Sequence, residues 1–322
     1  MDKGLAAWAA WPRQRFKKLD ALPKQQARVW GLVLGLGIGA LLGLLPLTWF
    51  GFAFVAVVAG VAVLAYSSEP LALVVAEEKV PKGFVSIPAG AFWMGSEDGD
   101  DDEKPRHRVH VDGFQCQIHP VTVALYHGVM GSEFQGDGNL PVTKVSWFDA
   151  VEFCNRWSLQ EGFTPCYGKV GDKSIWNQAA DGFRLLTEAE WEYACRAGSE
   201  TTWFFGDDES KLQEYAWFGE GWDKDNAHPV GQKLPNPYEL YDMHGNVWEW
   251  CWDWYGAYSK EEQFNPAGQE TGEDRCLRGG SFANSPDVLR SAFRSGYRPV
   301  GRDRFLGFRC GRFPSRQHGL TS

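Results

Sequence analysis

A chain of 322 residues with 44% hydrophobic and 15% aromatic residues, 16 Trp and 37 Gly among them, has room for one large domain with accessories or for two domains. That composition excludes a disordered chain and a coiled coil. A net charge of -9 argues against a general nucleic-acid binder, which presents a basic face to phosphates.

Residues 1–28 form a basic segment with Lys3, Arg13, Arg15, Lys17, Lys18, Lys24 and Arg28. From Val29 to Ser68 there is no charge. One membrane-spanning helix needs about 20 apolar residues; this run is too long for one and just long enough for two. Pro46 at its midpoint breaks a helix interior. The expectation is a transmembrane hairpin over 29–66, with helices at about 29–45 and 49–66. A cleaved signal peptide would have an apolar region of only about 7–15 residues. The basic flank holds the N-terminus in the cytoplasm, which places the protein in a bacterial or archaeal inner membrane. A true hairpin returns the following domain to the cytoplasmic side; if only one segment spans, that domain is extracytoplasmic. A polar linker covers 67–83, one domain 84–313, and a frayed tail 314–322.

Within the domain, "GFVSIPAGAFWMGS" reads as short strands and a turn. The acidic run "SEDGDDDEKPRHR", with Asp98, Asp100, Asp101 and Asp102, lacks calcium-loop spacing and reads as a solvated loop. His107 and His110 in "RHRVH" read as a solvated strand end rather than a metal site. A first helix starts at Ser146 with Asp149 in capping position, and Ala150, Val151, Cys154 and Trp157 recur at helical spacing. A second has a capping box of Thr187 and Glu190, a staple of Leu186 and Trp191, and Gly198 as its stop. Later pieces, "NPYELYDMHGNVWEWCWDWYG", "RCLRGGSF" and "LGFRC", are β-like. The expected class is α+β, coil-rich, with two main helices and a small antiparallel sheet.

Six motifs in register, "IPAGAFWMGS", "PVTKVSWFDAVEFCNRWS", "FRLLTEAEWEYACRAG", "ELYDMHGNVWEW", "LRGGSF" and "LGFRC", resemble the formylglycine-generating enzyme (sulfatase-modifying factor) superfamily. The resemblance implies an elaborated C-type lectin fold whose chain ends meet through the strand carrying "GFRC". It also implies a copper-binding cysteine pair shortly after "RGGS" in catalytic members. Here no cysteine follows Ser281 until Cys310, so the soft ligands copper requires are missing, and neither copper nor formylglycine generation is expected. Cys154 and Cys310 match a disulfide of secreted members; in a cytoplasmic domain they would stay thiols, as would Cys251 and Cys276. A structural calcium site carries over by position to Asp242, the carbonyls of Gly245 and Val247, and Glu249. The alternative is that Glu249 pairs with an arginine and Asp242 shapes a turn.

The frame "LRSA…R…P…R…GFR" resembles the variable region of proteins diversified by retroelements, in which adenine-directed copying scatters asparagine codons but can never produce Lys, Glu, Gln, Met or Trp. Residues 282–306 contain none of those five. Leu289, Arg290, Ser291, Ala292, Arg294, Pro299 and Arg302 read as frame. Phe282, Asn284, Asp287, Val288, Phe293, Ser295, Tyr297, Arg298, Gly301, Asp303, Arg304 and Phe305 read as exchangeable filling, with the aromatic, arginine and small polar types used in recognition loops. The expectation is a membrane-anchored, non-catalytic recognition protein. It would bind an unidentified macromolecule, a protein by the character of its surface, and no nucleic acid. The alternatives are an oxidoreductase of the same superfamily or a catalytically dead structural member.

Overall fold

A chain reading "WEWCWDW" must put every tryptophan on one side if it is extended, because side chains alternate along a strand. In the computed structural model, which describes residues 80–170, 173–223 and 227–314, this segment is strand β8 (Trp248–Trp254). It lies in a sheet of order β11-β10-β8-β12 with β10 (Arg275–Arg278), β11 (Arg294–Tyr297) and β12 (Leu306–Gly307). Leu277 stands opposite both Trp250 and Ser295, and Arg278 opposite both Glu249 and Arg294. One face of the sheet therefore carries the tryptophans, Leu277, Ser295 and Tyr297. The other carries Glu249, Cys251, Asp253, Cys276, Arg278 and Arg294.

A second sheet, of order β1-β4-β13-β7, joins β1 (Phe84–Ile87), β4 (Phe114–Gln117), β13 (Cys310–Arg312) and β7 (Arg184–Leu185). Cys116 is opposite Val85 on one side and Gly311 on the other, so the two ends of the domain meet through the last strand, as the resemblance implies. A third sheet contains β2 (Gly90–Met94), β3 (His107–Val111) and β9 (Gln263–Phe264), and β5 (Tyr167–Val170) pairs with β6 (Lys173–Trp176). The expected single small antiparallel sheet is thus four sheets among the described residues, with parallel pairings at β12–β8 and β3–β9. The two-residue strands β9 and β12 are too short to leave a periodic signal.

Four helices are present among the described residues: α1 (Val123–Met130), α2 (Trp147–Gln160), α3 (Glu188–Arg196) and α4 (Leu212–Tyr215). The second and third are the two expected ones, each with a complete capping box, Ser146 with Asp149 and Thr187 with Glu190. Helix α3 turns left-handed at Ala197 (φ 45°), one residue before Gly198 (φ 90°). All nine of its residues are buried, Glu188, Glu190, Glu192 and Arg196 included, which no amphipathic pattern announces. Helix α1 adds to the two expected ones: Thr122 caps it without a partner acid, and of its residues only Val129 is buried. The expected transmembrane hairpin, the basic segment and the last eight residues lie outside the described residues. Among the described residues no helix is long and apolar enough to cross a membrane.

Candidate ligand-binding face and the buried network beneath it

Of the frame arginines, Arg290 and Arg294 turn inward to carboxylates, as does Arg278 of β10, whereas Arg302 pairs with its carboxylate at the surface. Arg294 grips Glu188 with both ends of its guanidinium, Nε to Oε1 at 2.7 Å and Nη2 to Oε2 at 2.6 Å. Arg278 pairs with Glu192 and donates to the Ala292 carbonyl at 2.8 Å. Arg290 holds Glu103 through bonds of 2.7 and 2.6 Å, and Arg302 reaches Asp149 at 2.9 Å. Burial opposes ionisation of Glu188, but the Arg294 and Arg278 guanidiniums outweigh it and hold its carboxyl down at about 2. The acidic run is therefore more than a solvated loop. Its Glu103 is fully buried against Arg290, Asp102 accepts from the Tyr255 hydroxyl, and the Asp102 carbonyl accepts from Arg294 Nη1 at 3.1 Å.

The filling residues of β11 point the opposite way. With Arg294 turned inward, Phe293, Ser295 and Tyr297 share the tryptophan face at the outer edge of the sheet. The Phe293 ring lies 6.0 Å from Trp248 and the Tyr297 ring 6.2 Å from Trp250. Next along the chain, Arg298 is exposed and pairs with Glu273 at 3.2 Å and Asp274 at 3.5 Å. The Asp303 carbonyl accepts from Lys144 N, its carboxylate accepts from Arg304 N, and Phe305 meets Trp222 edge-on at 5.2 Å. Trp222, 52% exposed, belongs to this face although it lies far from the frame in sequence. Gly301 is constrained rather than freely exchangeable, since a Cβ there would come within 2.2 Å of the Tyr297 ring.

Earlier filling residues behave differently. Asp287 is exposed, Val288 is half-buried against the core, and Asn284 closes a turn by accepting from Ser281 N and Oγ at 2.9 and 2.7 Å. Phe282, expected among the exposed filling residues, is instead 0% exposed. Its amide donates to the Asn246 carbonyl and its carbonyl accepts from Glu220 N, so the chain there threads the interior before reaching the surface.

The calcium ligands expected at Asp242, Gly245, Val247 and Glu249 do not fit an ion in this arrangement. Both Glu249 oxygens accept from Arg309, each at 2.7 Å, and Oε2 also from Trp191 Nε1 at 2.7 Å. Asp242 accepts from Gly231 N at 2.8 Å and Asn246 Nδ2 at 3.2 Å. A guanidinium stands beside the carboxylate that would ligate the cation, so the arginine-pairing alternative describes Glu249, and Asp242 (φ 57°) shapes the turn. Gly245 (φ 80°) is needed because a Cβ would fall 2.1 Å from the Trp217 carbonyl.

All seven cysteines are free and buried. The Cys154 and Cys310 sulfurs lie 3.7 Å apart with no bond between them. Cys251 and Cys276 sit on neighbouring strands without a bond between them, and Cys276 donates instead to Glu188 Oε2 at 3.2 Å. No sulfur lies between Ser281 and Cys310. His107 is buried, bonded to the Pro105 carbonyl, while His110 pairs with Glu262 at 2.6 Å; the two imidazoles do not converge on a metal.

Comparison with known proteins agrees with this fold. The sulfatase-modifying factor enzyme 1-like domain family matches residues 71–313. The formylglycine-generating enzyme of Bos taurus is 33% identical over 279 residues, 71% of this chain and 74% of that protein. Among solved structures, Treponema denticola variable protein 1 superimposes with a TM-score of 0.66 at 32% identity, covering 72% of this chain and 95% of its own. PvdO from Pseudomonas aeruginosa gives 0.61 at 27% identity, covering 73% and 97%. With a family match across the whole described fold, the chain belongs to the sulfatase-modifying factor enzyme 1-like domain family.

Proposed function

We propose that the domain is a non-catalytic recognition module whose ligand surface is the outer edge of the tryptophan face, diversified by a retroelement. The observation that carries this reading is the alternation through β11: Arg294 is locked inward on Glu188, while Ser295 and Tyr297, with Phe293 just before the strand, face the other way at half-buried or exposed positions. A scaffold of this kind tolerates exchange of the outward residues because its stability resides in the inward ones. Aromatic rings beside Arg298 and Arg304 suit a protein ligand. Similarity to Treponema denticola variable protein 1 supports the reading. So does the absence of cysteine after Ser281, which removes the soft copper ligands of catalytic relatives. The charge-free run from Val29 to Ser68 supports attachment to a bilayer, and protease protection of the domain in sealed cells would report its side.

The test is genetic and biochemical. A reverse-transcriptase gene and a near-copy of the segment encoding residues 282–306, differing chiefly at adenines, are expected beside the gene; their absence would end the diversification claim. A second reading, an oxidase of the same family, is favoured by the 33% identity to a formylglycine-generating enzyme. Copper loading with turnover of a cysteine-containing sulfatase peptide would establish it and overturn the first.

A further inference from the structure

On the α3 side of the same sheet lies a cavity of about 520 Å³, between the end of β8, the first turn of α3, the β2–β3–β9 sheet and the loop after Trp254. Asp253, Glu188, Arg294, His107 and Tyr258 line it. The donors on this inner wall are already engaged. Arg294 directs Nε and Nη2 to Glu188, Nη1 to the carbonyls of Asp102 and Gly256, and Nη2 also to Cys276 Sγ. Tyr258 donates to Glu188 Oε1, and Glu188 N donates to Asp253 Oδ2 at 2.8 Å.

Acceptors remain. Asp253 is 3% exposed, and its Oδ1 has no hydrogen-bond partner among the described residues. His107 gives its Nδ1 proton to the Pro105 carbonyl, which leaves Nε2 as an acceptor in the neutral ring. An anionic ligand would find no uncommitted cation on this wall, whereas a group with donors alone matches it. At the mouth, the Phe264 ring stacks one face on His110 and is otherwise exposed, which leaves its other face as a π surface.

We propose that this cavity binds a compact organic cation, an alkylammonium group held by the Asp253 carboxylate. The electrostatics agree with the geometry. Burial first, then the negative charges of Glu188 and Glu190 on α3, push the Asp253 carboxyl up to about 8, outweighing the hydrogen bond from Glu188 N and the more weakly opposing charge of Arg275 on β10. A bound ammonium supplies the missing counter-charge, so binding at neutral pH displaces the proton of Asp253 to solvent. The ammonium group is common to free amines and to lysine side chains.

The test is calorimetric titration of the full chain in detergent solution at neutral pH. The probes are 1-pentylammonium, its neutral counterpart 1-pentanol, Nα-acetyl-lysine amide and that compound acetylated at Nε. The ammonium should bind at least about tenfold more tightly than the alcohol, and Asp253→Asn should erase that preference together with the proton release read from buffers of different ionisation heat. Binding of 1-pentylammonium alone identifies a free amine as the ligand class; binding of the lysine amide, abolished by acetylation, identifies a lysine side chain. Equal binding of alcohol and ammonium, an unaffected Asp253→Asn variant, or no ammonium binding would each overturn the proposal. Should Asp253→Asn fail to fold, Phe264→Ala at the exposed mouth must weaken the ammonium several-fold, and unchanged affinity there counts against the site.

Discussion

Replacing Arg294 with methionine tests the division between frame and filling. The side chain is 2% exposed and makes both bonds of a fork to Glu188, which is 5% exposed. Removing one partner of a buried pair costs about 3–5 kcal/mol, because the remaining charge is left without compensation. Here the low end applies, since Arg278 Nε stays 3.5 Å from Glu188 Oε1. A loss of ~3 kcal/mol lowers the melting temperature of a domain this size by about 6–12 °C. Ser295→Ala, one residue away but facing outward, should cost no more than about 0.5 kcal/mol. Urea unfolding followed by tryptophan fluorescence measures both. The Arg294 penalty should also depend on pH. The Glu188 carboxyl is held at about 2 when folded, below its ordinary 4.5, so the stability it contributes is present above about pH 4.5 and lost as pH falls through 2. The gap between parent and variant should narrow over that window. An Arg294→Met cost below about 1 kcal/mol, or equal costs at 294 and 295, would refute the inward–outward argument.

Asp253 gives the opposite sign. Its carboxyl is raised to about 8 in the fold, so between its unfolded value near 4 and pH 8 the native state holds the extra proton and stability declines as pH rises. Asp253→Asn should match the parent near pH 4 and exceed it increasingly up to pH 8, as urea midpoints will report. Ellman's reagent should label none of the seven buried thiols in the native protein and all seven after unfolding. Chelation with EDTA, and addition of calcium, should leave the melting temperature unchanged within about 1 °C, because the Asp242 and Glu249 oxygens are already bonded. A clear upward shift with calcium would show that Arg309 yields its place.

Local signals were legible where one short segment contained both halves of an interaction. Ser146 with Asp149 and Thr187 with Glu190 are capping boxes in sequence and in space, and the meeting of the two ends of the domain through "GFRC" is realised in the β1–β4–β13 pairing. Helix α1 escaped because its sequence VALYHGVM is apolar nearly all round, so no stripe stands out against a polar face, and β9 and β12 because two residues have no period.

By itself, then, the order of residues determined the family, the two capped helices and the lack of any cysteine between Ser281 and Cys310, since each depends on residue identity or on spacing within a few positions. Only the tertiary structure decided which residues are seen by solvent. Phe282 lies inside and Trp222 outside, Glu249 faces Arg309 rather than an open ion site, and Asp253 keeps one oxygen unpaired on a cavity wall. Those outcomes depend on contacts between residues far apart in the chain, where pairing across the sheet and against α3, not local pattern, sets which atoms are satisfied.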